Sequence, residues 1–70
     1  MKDKYSKLIF DKLAAMQLDD SFSKRNFIEK YRGFYDYFAD RSFSVLFCNI
    51  KKLFPKKEFK TIKGHIVRTQ

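Results

Sequence analysis

The stretch that decides the fold reads Asp40-Arg41-Ser42-Phe43-Ser44-Val45-Leu46-Phe47-Cys48-Asn49-Ile50-Lys51-Lys52-Leu53-Phe54-Pro55. Phe43, Leu46, Phe47, Ile50, Leu53 and Phe54 recur at intervals of three, one, three, three and one, which places them along one side of a helix. Arg41, Ser42, Ser44, Val45, Cys48, Asn49 and Lys52 fall on the opposite side. Asp40 carries an N-cap side chain and Pro55 cannot continue a helix, so the spacing predicts a third helix over 41–54.

Working outward, Phe59-Lys60-Thr61-Ile62-Lys63 alternates apolar or β-branched residues with lysine, Gly64 is a turn residue, and His65-Ile66-Val67-Arg68-Thr69 reads as a return strand. A hairpin over 58–69 is predicted, with positive φ at Gly64. Upstream, Tyr5, Leu8, Ile9, Leu13 and Met16 form the stripe of a first helix over 4–16, with Lys7, Asp11 and Lys12 on its wet side. Gln17 to Ser21 reads as a loop. Ser23 is the N-cap of a second helix over 23–32, and Phe22 before it can pack on Phe27 as a hydrophobic staple. Asp19 and Asp20 complement that helix's dipole. Phe27, Ile28 and Tyr31 form its buried face, and Gly33 is its left-handed C-cap. Phe34–Phe38 reads as a turn closing over the core.

Seventy residues make one domain. A chain of this size buries only about 60% of the surface its unfolded form exposes, and nine Phe and four Tyr supply bulk for a small core. One cysteine excludes an internal disulfide, and no secretory apolar segment follows Met1-Lys2-Asp3-Lys4. The run Phe43–Phe47 is too short to span a bilayer. The expectation is a cytoplasmic chain with no membrane partner.

The net charge of +8 is polarised. Residues 1–40 carry eight basic and seven acidic side chains, leaving +1, whereas residues 41–70 carry eight basic side chains against Glu58 alone, leaving +7. Such a field attracts polyanions, of which nucleic acid is the commonest. An anionic membrane or an acidic protein also fits the charge.

Catalysis finds little support in these residues. His65 has no second His or Cys at metal-ligand spacing and reads as an exposed turn residue. Cys48 has no histidine partner and is expected at the edge of the core. Two isolated glycines cannot build a phosphate loop. No enzyme, metal or cofactor is expected.

The constellation that carries meaning is three helices followed by a basic hairpin. The second and third helices make a helix-turn-helix, whose third helix would enter the DNA major groove with its early residues nearest the base edges. Arg41 could pair with guanine and Asn49 with adenine, Ser42 and Ser44 suit phosphate or base contacts, and Lys51 and Lys52 suit the phosphate rail. A polar face of this kind is by itself an ordinary solvated face. A hairpin bearing Lys60, Lys63 and Arg68, as phosphate or minor-groove contacts only, is what a wing needs.

Arg41 to Lys52, followed by Lys60-Thr61-Ile62-Lys63-Gly64-His65-Ile66-Val67-Arg68, resembles the end of a winged-helix output domain of two-component response regulators. That resemblance places Arg41, Ser44 and Asn49 on the recognition helix and Lys63 and Arg68 on the wing. Ser44 stands where the family usually has Asp, Ile66 where it has a second wing glycine, and Val67 where it has an aromatic. Seventy residues hold neither the family's N-terminal strands nor a receiver domain, so the implied fold is a minimal one.

The expectation is a mainly α domain with a small β-hairpin, a three-helix winged helix-turn-helix. Its expected function is non-catalytic binding of double-stranded DNA, as a small transcription regulator or an architectural, excision-type factor. A single short domain reads few base pairs, so a homodimer or cooperative assembly is expected. The rivals are a basic interaction module for an acidic protein, favoured if Phe34, Tyr35 and Tyr37 are exposed, and an RNA-binding domain using aromatic stacking.

Overall fold

A computed structural model describes residues 3–70 as three helices and three short strands: α1 (Lys4–Ala15), β1 (Ser21–Ser23), α2 (Lys24–Arg32), α3 (Tyr37–Lys51), β2 (Phe59–Ile62) and β3 (His65–Arg68). The fold is mainly α with a small antiparallel sheet in the order β1-β3-β2. The hairpin β2–β3 lies where the alternation placed it. The third strand is a correction, because Ser21 to Ser23 pairs with β3 at Ser21↔Val67, Phe22↔Ile66 and Ser23↔His65.

α1 begins at Asp3, whose carboxylate accepts from the Ser6 amide at 2.7 Å. It buries Ile9 and Leu13, and Met16 joins them just past its end. α2 is built as its signals imply: the Ser23 hydroxyl accepts from the Asn26 amide, Phe22 packs on Phe27 at 5.5 Å, and Gly33 closes the helix at φ 83°. Phe27 and Ile28 are buried, but Tyr31 lies at the rim, its ring 4.7 Å from Phe27. Asp20 does not serve the dipole of α2. Its carboxylate accepts from the Gln17 amide and holds the turn in which Asp19 takes φ 70°.

α3 starts earlier than expected. The Asp36 side chain accepts from the Ala39 amide at 2.7 Å, so Asp36 is the N-cap and Asp40 lies inside the helix. Tyr37 and Phe38 are therefore its first two residues rather than a lid. Ala39, Phe43, Phe47 and Ile50 take the buried side, which leaves Tyr37 and Phe38 facing out. The helix also ends earlier than expected. Leu53 and Phe54 amides donate to Ile50 and Lys51 carbonyls in a tightened last turn, which rotates Leu53 outward to 57% exposure.

The core gathers Ile9, Leu13, Met16, Phe27, Ile28, Ala39, Phe43, Phe47, Ile50, Phe59 and Ile66. Phe27 is its aromatic hub, with Tyr5, Phe22, Tyr31 and Phe43 at ring distances of 6.3, 5.5, 4.7 and 5.6 Å. A second run, Phe10 on Phe54 and Phe54 on Phe59, ties α1 to the start of the hairpin.

Lys24 joins three elements. Its amide donates to the Gly64 carbonyl at 3.0 Å, and its ammonium lies 3.1 Å from the Asp40 carboxylate. Asp40 also accepts from the Tyr35 hydroxyl. The Tyr35 hydrogen bond, helped by Lys24, holds the Asp40 carboxyl below the usual carboxylate range, while the same bond pushes the Tyr35 phenol up.

Two outcomes follow from these contacts. Because folding lowers the pKa of Asp40, its contribution is complete above the unfolded value and is lost as pH falls through the folded one. Tyr35→Phe should therefore lose less stability than the parent between about pH 5 and pH 2, read by denaturant titration at each pH; parallel curves would show that this bond contributes nothing. The hairpin turn has φ 51° at Lys63 and 78° at Gly64, a type I′ turn. Nothing lies within 4 Å of a Cβ at Gly64, so Gly64→Val acts through backbone strain alone and should cost about 1–3 kcal/mol in thermal unfolding.

Candidate nucleic-acid interface

The outward face of α3 brings together Arg41, Val45, Cys48, Asn49 and Lys52, all exposed. They follow at intervals of four, three, one and three, so they share one side of the helix. Cys48 is solvent-facing rather than at the edge of the core, because the buried stripe begins at Ala39 and passes Phe43, Phe47 and Ile50 on the far side. Ser42 is half-buried at the margin of the face. Ser44 is also half-buried, one turn after Asp40. Lys51 is half-buried, with its ammonium 5.4 Å from the Phe47 ring centre.

The sheet has two faces, and the register assigns them. Phe59 pairs with Arg68, and Ile66 with Thr61 on one side and Phe22 on the other, so these residues share the face that holds buried Phe59 and Ile66. Lys60, Ile62, His65 and Val67 lie on the other side. Lys60 and Lys63 are exposed, as a wing requires. Arg68 is not. On the inner face, its guanidinium donates to the Met16 carbonyl at 3.1 Å and the Gln70 carbonyl at 2.9 Å. Arg68 is a clasp between β3 and the end of α1, which corrects its assignment as a phosphate or minor-groove contact only.

The hairpin is also short. Its strands have four residues each, and its turn sits flush with β1, whose last residue pairs with His65. Through Lys24, that turn is linked to Asp40 in the first turns of α3. Gly64 and Asp40 are thereby brought to the same end of the domain.

The positive charge of residues 41–70 has no ion-pair partner among the described residues of the fold. Among the described residues, the ion pairs are Lys24–Asp40 and Arg25–Glu29. None of the eight cations in 41–70 has a carboxylate at ion-pair distance. Lys57 donates to the Ala14 carbonyl and Arg68 is the clasp. Arg41, Lys52, Lys56, Lys60 and Lys63 stand exposed.

Two residues with an evident place in this surface escape a reading from residue type. Tyr37 and Phe38, 69% and 77% exposed, are the most exposed large apolar side chains among the described residues. The available signal was Ala39, four residues before Phe43, which extends the buried stripe backward and makes Asp36 the cap. No described helix is long and apolar enough to cross a membrane.

The two kinds of basic residue separate in an experiment. Arg68→Ala should lower stability by about 1–2 kcal/mol through the lost carbonyl bonds, whereas Lys63→Ala should leave it within about 0.5 kcal/mol. Equal melting temperatures for the two variants would refute the clasp.

Protein-family models, curated proteins and solved structures were each compared with this chain, and none of the three comparisons finds a match.

Proposed function

We propose that this domain is a minimal winged helix that binds double-stranded DNA without catalysis, as a small transcription regulator or an architectural factor. The observation that carries the reading is the unpaired, exposed set Arg41, Lys52, Lys56, Lys60 and Lys63, spread over α3 and its C-cap, the connection after it and the hairpin. The helix order supports it. Gly33–Asp36 is a four-residue turn between α2 and α3, the length a helix-turn-helix uses, where the predicted boundaries had left a longer connection. The element order α1-β1-α2-α3-β2-β3, with the hairpin following α3, supports a helix-turn-helix with a wing after it. In this reading α3 lies in the major groove, Arg41 and Asn49 reach base edges, and Lys60 and Lys63 touch phosphates.

A protein partner is the second reading, and one observation favours it: Phe34 and Tyr37 are exposed, as an interaction module would have them. Tyr35 is not available in the same way, since its hydroxyl is bound to Asp40 and Arg25 lies over its ring.

Titration of a duplex at several salt concentrations separates the two. With the four free lysines on phosphates and Arg41 on a base edge, the log–log slope of affinity against salt should be about −3.6. Arg41→Ala and Asn49→Ala should each reduce discrimination between sequences by about 1–3 kcal/mol with the fold intact. Absence of duplex binding at low salt, or a flat salt response, would reject the DNA reading and promote the protein partner.

A further inference from the structure

The nine phenylalanines are used unequally. Seven of them (Phe10, Phe22, Phe27, Phe43, Phe47, Phe54 and Phe59) are in the core or packed against it. Phe34 and Phe38 are not, and Phe38 is the most exposed large apolar side chain of the described residues. Tyr37 stands beside it in an edge-to-face pair, ring centres 5.7 Å apart. No requirement of folding explains this pair, because the helix is already capped by Asp36 and anchored by Ala39 and Phe43.

Their position is specific. Phe38 opens the same helical face as Arg41, Val45 and Asn49, at spacings of three, seven and eleven. Val45 is itself 54% exposed, so the face offers an aromatic and, two turns on, a branched aliphatic between polar groups. The acids at this end are engaged: Asp36 caps the helix, and Asp40 is held by Lys24 and Tyr35. What remains free there is Arg41. A surface of one free cation and apolar side chains, on a chain of net charge +8, suits a polyanion that also presents apolar groups. A second copy of the chain brings the same excess positive charge and is disfavoured.

In the major groove the apolar group within reach of a side chain is a pyrimidine C5-methyl, carried by thymine or by methylated cytosine. We propose, resting on the DNA reading above, that Phe38 reads C5-methyl groups on base edges at the leading end of α3, with Tyr37 packed behind it and Val45 placed for a second methyl. Specificity then combines two chemistries: Arg41 and Asn49 select hydrogen-bond patterns, and the apolar residues select methylated edges between them.

The test changes the DNA and the protein separately. One arm compares an alternating A·T duplex with its twin carrying uracil for every thymine, which removes the methyl and keeps base pairing. A second arm compares a G·C duplex with and without 5-methylcytosine, and so distinguishes the two sources of the methyl. Wild type should lose affinity about fourfold for each methyl withdrawn from contact, the factor equivalent to about 0.8 kcal/mol. Phe38→Ala, with unchanged helical signal by circular dichroism, should lose about fourfold of that preference, and Phe38→Ala combined with Val45→Ala should bind the paired duplexes equally. Duplex binding with normal salt dependence but indifference to the methyl in both arms overturns this inference and leaves the DNA reading standing. A methyl preference undiminished in Phe38→Ala also overturns it. No duplex binding at all overturns both, and assigns the aromatic pair to a protein partner.

Discussion

The structure depends on one short pairing, that of Ser21–Ser23 with His65–Val67. It joins residues more than forty positions apart in the chain and makes β3 the central strand. The ladder extends past the strands, since the Asp19 amide donates to the Arg68 carbonyl and the Arg68 amide to the Asp20 carbonyl. Because β1 runs directly into α2, the same pairing sets where α2 begins and brings the Lys24 amide to the hairpin turn. A hairpin alone is marginal in water; the third strand and buried Phe59 and Ile66 give it a place on the helices.

Size is the second constraint. Helices this short are not stable in isolation and draw their stability from packing an apolar face. The aromatic network around Phe27 answers that need with few residues, since each ring covers a large area and touches several elements at once. Arg68 and Lys57 add ties from the hairpin region back to carbonyls at the end of α1, where a helix leaves acceptors unfilled. Cations that look available in a charge count are thus divided between holding the fold and facing solvent.

That division marks what residue order could and could not disclose. The three helices, the hairpin, the Ser23 cap, the Phe22 staple and the left-handed Gly33 all follow from local rules that act within a few residues. β1 was illegible because Ser-Phe-Ser is too short to show a period and its partner lies far along the chain. The start of α3 was misplaced because two aspartates four residues apart are both good caps, and only the burial of Ala39 decides between them. Of the site, Arg41, Asn49, Lys52, Lys60 and Lys63 were legible as exposed polar positions. The fate of Arg68 was not, since it is decided by a partner, the Met16 carbonyl, that composition does not reveal.

The order β1-β3-β2 leaves β2 with a neighbour on one side only. Its other edge exposes backbone donors and acceptors, and Ile62 beside it is half-exposed, the ingredients for strand-to-strand growth between molecules. Two features oppose that growth: the strand is four residues long, and Lys60 within it and Lys63 at its end would bring like charges together in any such stack. The lysines of the hairpin thus also act as gatekeepers of solubility, so a variant stripped of them trades away colloidal stability along with charge.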